Sequence, residues 1–147
     1  MKHIVFLLAV TGVLSVSCKT KKSATIIEET VQSAPPTTRQ QLSDRKWKLI
    51  KMGHHESLRY DIFINFSDSS FGGKAVCNSY GGKLEFRKLS TIRLTGLFST
   101  EMACDGLETE QEFFSTLQHI QYFNINGDTL WLSRPEPIPP LVFINVH

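Results

Sequence analysis

The chain has 147 residues, 41% of them hydrophobic and 20% charged, which leaves room for one ordinary domain plus a leader and a tether. That balance excludes wholesale disorder and a multi-span membrane protein. The formal net charge is +2, and Lys2, Lys19, Lys21 and Lys22, which carry much of the excess, precede the stretch that can fold. A basic footprint for nucleic acid is therefore not expected.

Met1-Lys2-His3 and the apolar run of residues 4–14 read as a secretory leader, too short to span a bilayer and followed by small residues. Leu14-Ser15-Val16-Ser17-Cys18 resembles a bacterial lipobox, in which the cysteine after the cut carries lipid on its sulfur. The usual box has Leu three places before the cysteine; here Ser15 holds that place, and a plain signal-peptidase cut after Ser17 is the alternative. Lipid on Cys18 would anchor the protein to a membrane of the bacterial cell envelope. Lys19-Thr20-Lys21-Lys22 lacks an acidic run, so the expected anchor faces the periplasm. Residues 1–17 are thus read as a signal peptide, 18–41 as a flexible tether and 42–147 as the domain. In the tether the large apolar residues are confined to Ile26, Ile27 and Val31, too few to offset the entropy of ordering it. On flexible-chain scaling it separates its ends by about 25 Å.

Three cysteines in an exported chain leave one odd thiol. With Cys18 lipidated, Cys77 and Cys104 remain as an even pair in an oxidising compartment, and a disulfide between them is expected. Free buried thiols or a functional thiol pair are the alternatives. The pair lacks Cys-x-x-Cys spacing, and two thiolates alone do not complete a zinc site.

Along the folded part, residues 45–52 alternate with Trp47 and Leu49 on one face, a strand. Gly53-His54-His55-Glu56-Ser57 is a polar turn. Ile62, Ile64 and Phe66 alternate in a half-buried strand. After the turn at residues 67–70, residues 71–76 return as the next strand, and residues 83–86 and 91–94 give two more. The period then changes. Asp105 with Glu108 three residues on predicts a capping box with Asp105 as the N-cap. Phe113, Leu117 and Ile120, widened by Phe114, form the apolar stripe of one helix over residues 107–119. Strands resume at 121–125 and 129–133 around the hairpin turn Asn126-Gly127-Asp128. Pro135, Pro137, Pro139 and Pro140 forbid central-strand pairing, and residues 141–145 close the chain as a strand. The expected fold is α+β: a curled antiparallel sheet or partial barrel of seven to eight strands packed on one amphipathic helix.

Trp47-x-Leu49, a strand ending in Phe66, Gly73-x-x-x-Cys77-Asn78-x-Tyr80-x-Gly82, Ser99-Thr100-x-Met102-Ala103-Cys104, Glu110-x-x-Phe113 and Leu130-x-Leu132 occur in that order. This series resembles the META domain, the family of the HslJ heat-shock lipoproteins and of secreted or virulence-associated relatives, across residues 42–146. The sequence departs from the family at Val76, where Gly usually precedes the Cys-Asn pair. The resemblance implies an α+β fold, an address in the cell envelope and a link to heat shock or antibiotic tolerance. It carries over neither a catalytic residue nor a cofactor.

The candidate chemistry is sparse. Asn78 and Tyr80 are either structural, Asn bonding its own turn and Tyr finding a partner for its hydroxyl, or polar contacts in a ligand groove. His54-His55-Glu56 points adjacent side chains to opposite faces and suits a solvated turn better than a metal site. Gly72-Gly73-Lys74 and Gly81-Gly82-Lys83 lack P-loop spacing, and no Gly-x-Ser-x-Gly is present. The expectation is a monomeric, non-enzymatic envelope lipoprotein, without metal or cofactor, that binds a protein or another envelope component. The alternatives are a small-ligand carrier using the barrel interior, or an envelope hydrolase or redox enzyme working around Cys77, Asn78 and Tyr80.

Overall fold

The computed structural model of the protein describes residues 38–147 apart from 56, 57, 89, 136 and 137. The expected signal peptide, the expected lipobox with Cys18 and all but the end of the expected tether lie outside the described residues. Eight strands follow a short helix α1 (Thr38–Ser43): β1 (Lys46–Lys51), β2 (Phe63–Phe66), β3 (Ser70–Lys74), β4 (Ser79–Lys88), β5 (Thr91–Ser99), β6 (Tyr122–Asn126), β7 (Thr129–Ser133) and β8 (Leu141–Val146). A second helix, α2 (Leu107–Leu117), lies between β5 and β6. Every strand is antiparallel to its neighbours in sequence, and β8 returns to β1, so the curled sheet closes into a barrel.

Alternation along the strands sends Trp47, Leu49, Ile64, Phe66, Leu84, Ile92, Leu94, Leu130, Leu132, Leu141 and Phe143 into one continuous core. An eight-stranded barrel is just wide enough for such side chains to fill it, so a ligand inside would have to displace them. Two helices cover the ends. At one end the wholly buried Leu42 of α1 accepts a hydrogen bond on its carbonyl from Trp47 Nε1–H at 3.0 Å. At the other, Phe113 and Phe114 of α2 set their rings 5.5 Å and 5.3 Å from that of Tyr80, edge to face.

The α+β expectation holds, with differences of detail. Helix α1 spans the boundary expected at residue 41; it is too short, with Leu42 its one buried residue, to show helical periodicity. β4 and β5 outrun the four-residue strands expected there, because the ladder shifts register between Gly81 and Lys83 and so breaks the alternation. The hairpin turn is as expected, with Gly127 at φ +58°. The capping box is corrected: the N-cap of α2 is Gly106, at φ +96°, with no side-chain cap, and Asp105 is exposed one place too early. The chain turns into the helix through a left-handed residue, and a Cβ on Gly106 would sit 2.5 Å from the Tyr60 ring. Only glycine meets both demands.

Candidate functional site

Residues 75–78 form the turn from β3 to β4, closed by Ala75 N–H donating to the Asn78 carbonyl at 2.8 Å. The segment from residue 100 to 106 crosses outside this turn on its way to α2. Three devices tie the turn to this segment and to the helix it leads into. The first is the Cys77–Cys104 disulfide, whose Cα atoms stand 6.1 Å apart, within the usual range for such a bridge. Cys77 is buried and Cys104 exposed.

The second device is the side chain of Asn78, which is only 2% exposed. Its Oδ1 accepts from Met102 N–H at 2.7 Å and from Thr100 Oγ1–H at 2.8 Å. Its Nδ2 donates to the Met102 carbonyl at 3.1 Å and to Glu110 Oε1 at 2.5 Å. The amide thus satisfies both backbone groups of Met102, as a paired strand would.

The third device is Glu110, a carboxylate buried on the inner face of α2. Its Oε2 accepts from the backbone N–H of Cys77 at 2.8 Å and of Asn78 at 2.9 Å. Burial alone would raise its pKa. The Asn78 side chain, the two backbone N–H groups and the charge of Lys74 outweigh that and hold it below the ordinary carboxylate value. Lys74 Nζ itself donates to the Cys77 carbonyl at 2.6 Å.

Tyr80 is buried, with its hydroxyl donating to the Phe63 carbonyl at 2.9 Å. Burial pushes its phenol well above the ordinary value, so it stays protonated. The structure therefore brings Cys77, Cys104, Asn78 and Tyr80 together, with the polar atoms of Asn78 and Tyr80 engaged by internal partners. Glu110 was not singled out from the sequence as a site residue, although a signal existed. Positions 110, 113, 114 and 117 fall on one helical face, so a carboxylate stood in register with the apolar stripe and needed a buried partner.

Outside this knot the surface offers a shallow groove of about 310 Å³, lined by Met102, Leu107 and Phe114 with Asn78 and Glu110 at its inner wall. Met102 is 62% exposed on its rim, and Phe98 of β5, lying against Gly81, is 68% exposed. A second cleft of about 690 Å³ is lined by His55, Arg59, Tyr60, Asp105, Glu108 and Glu112. There His55 Nε2 lies 3.8 Å from Glu112 Oε2. His54 and His55 are exposed, and Glu56 lies outside the described residues. Among the described residues no three His, Cys, Asp or Glu side chains cluster as metal ligands.

The META domain family model matches residues 40–144. No curated protein matches the chain. Two solved structures are similar in fold. One, an NMR structure of a protein from Burkholderia xenovorans, is 21% identical with a TM-score of 0.59, over 77% of this chain and 92% of that one. The other, an NMR structure of a protein, is 18% identical with a TM-score of 0.58, over 74% of this chain and 95% of that one.

Proposed function

The chain belongs to the META domain family, and from that premise we propose that it is a non-enzymatic, lipid-anchored domain of the bacterial cell envelope that binds a protein partner. The supporting observation is the division of labour around the turn at residues 75–78. Asn78, Glu110 and Tyr80, which could serve chemistry, are engaged in internal hydrogen bonds. The apolar side chains left outside, Phe98, Met102 and Leu107, are the kind that protein interfaces bury. The knot then serves as the rigid backing that holds this surface in place. Lipid on Cys18, with the tether behind α1, would keep the domain near the membrane, facing the periplasm. A role under heat or antibiotic stress is part of the proposal and rests on the family resemblance alone.

The test is photo-crosslinking in intact cells. A crosslinker at Met102 should give discrete protein adducts in the membrane fraction, and one at the exposed Asn124 should not. Cys18→Ala should release the protein from that fraction or leave it unprocessed. Equal adducts at both positions would sink the docking surface, and a Cys18 variant that is cut after Ser17 and fractionates unchanged would sink the anchor.

A further inference from the structure

Closure of the barrel is weakest between β5 and β6. The two strands pair at a single position, Thr91 with Tyr122. Flanking it, Ile92 N–H donates to the Gln121 carbonyl at 2.9 Å, and Phe123 N–H to the Ser90 carbonyl at 3.0 Å. Past that point β5 runs on to Ser99, while the chain opposite is the exit of α2.

Successive residues of a strand aim their N–H and C=O groups at opposite edges. Ile92 points its N–H toward β6, so Leu94, two residues on, points both of its backbone groups to that same edge. The β4 side agrees. Leu84, the cross-strand partner of Leu94, sends its N–H the other way, to the Ser69 carbonyl at 2.9 Å. Among the described residues, no strand pairs with Leu94 on the open edge.

A groove of about 740 Å³ follows this edge, between residues 91–95 of β5 and residues 118–121. Its walls carry Arg87, Lys88, Arg93 and His119, and no carboxylate. Arg87 bonds Glu85 at 2.9 Å beside the groove. Lys88 and Arg93 enter no ion pair among the described residues. Ile92, Leu94 and Ile120, also on its walls, are buried apolar residues.

We propose that this groove takes an extended acidic segment of a partner protein as an added strand on the β5 edge. The segment's backbone would pair with the N–H and C=O of Leu94. Its alternate side chains would be carboxylates toward Arg93, Lys88 and Arg87, and small apolar groups toward Ile120, the period of two that strand addition reads. Open edges are ordinarily guarded against pairing with a second copy by charge and by bulges. Here the β4–β5 register shift stops the edge from running on as a flat template. The cations repel a second basic edge while attracting an acidic strand, so the same charges select the partner.

The probe is a labelled, end-capped hexapeptide Glu-Thr-Glu-Val-Glu-Thr, compared with its Lys-for-Glu counterpart, titrated into the full-length protein. The acidic peptide should bind with an affinity that weakens as salt rises. At saturation, hydrogen exchange at the Leu94 amide should slow by about tenfold or more, as expected of an amide newly engaged in a strand. Arg93→Glu should weaken binding by about tenfold while circular dichroism stays native. If that variant misfolds, Lys88→Glu makes the same test at the groove rim. The proposal is overturned if neither peptide binds at about 1 mM, the weak end of useful affinity. It is equally overturned if the basic peptide binds as well, if Leu94 exchange is unchanged at saturation, or if a folded charge-reversal variant binds undiminished.

Discussion

Glu110 can be tested as the centre of the knot by substituting it with Ala and with Gln. In Glu110→Ala three buried donors lose their acceptor: the N–H groups of Cys77 and Asn78 and one N–H of the Asn78 amide. An unsatisfied buried donor costs about 1 to 3 kcal/mol. Allowing for relaxation and water entry, the sum comes to about 3 to 6 kcal/mol, against a total of about 5 to 15 for a domain. Glu110→Gln keeps one oxygen for the two backbone donors but turns an NH2 group toward Asn78 Nδ2. The Asn78 amide cannot flip to accept it, because Met102 and Thr100 already fix its orientation. That variant should lose about 2 to 3 kcal/mol, one charged hydrogen bond plus a donor conflict. The pH dependence carries a sign. The folded pKa of Glu110 is depressed, so its contribution is complete above the unfolded value of about 4.3 and is lost as pH falls through the folded pKa. Urea unfolding followed by tryptophan fluorescence, with the disulfide intact, reads both effects at neutral pH and across the acid range. Subtracting the Glu110→Gln profile from the native one removes the other carboxylates. A loss below about 1 kcal/mol for Glu110→Ala, less than a single orphaned donor, would refute the reasoning; so would parallel acid profiles for the native and Gln proteins.

Cys77→Ser with Cys104→Ser opens a loop of 27-residue separation, worth about 3.6 kcal/mol on the chain-entropy model. Far-ultraviolet dichroism should stay native, since Asn78 and Glu110 still hold the turn; free thiols at both positions in the protein isolated without reductant would contradict the bridge. Tyr80→Phe removes the hydrogen bond to the Phe63 carbonyl and should cost about 1 to 2 kcal/mol. The folded pKa of Tyr80 is raised, so the stability it contributes is present below about pH 10 and fades as pH rises above it. The Phe variant should lack that alkaline component, and unfolding curves taken through the alkaline range would reveal equal slopes if the phenol were not buried.

Much of this protein was legible in one dimension because the signals are local. The alternation of Ile62, Ile64 and Phe66, the turn at Asn126-Gly127 and the stripe of Phe113, Leu117 and Ile120 each follow from the geometry of a single element. The motif series that marks the META family likewise sits in the chain as spelled. What the tertiary structure alone decided depends on chain segments far apart in sequence. Closure of the barrel by β8 on β1 is a matter of strand number and curvature, which alternation does not encode. The N-cap of α2 falls on Gly106, and the Tyr60 ring, from a residue 46 places back along the chain (106 − 60), leaves no room for a side chain there. Glu110 illustrates the limit best. Its place on the apolar face was readable from spacing, but the N–H groups of Cys77 and Asn78 that keep it ionised arrive from another part of the barrel. A buried charge is explained only by its partners, and the folded chain alone determines which partners those are.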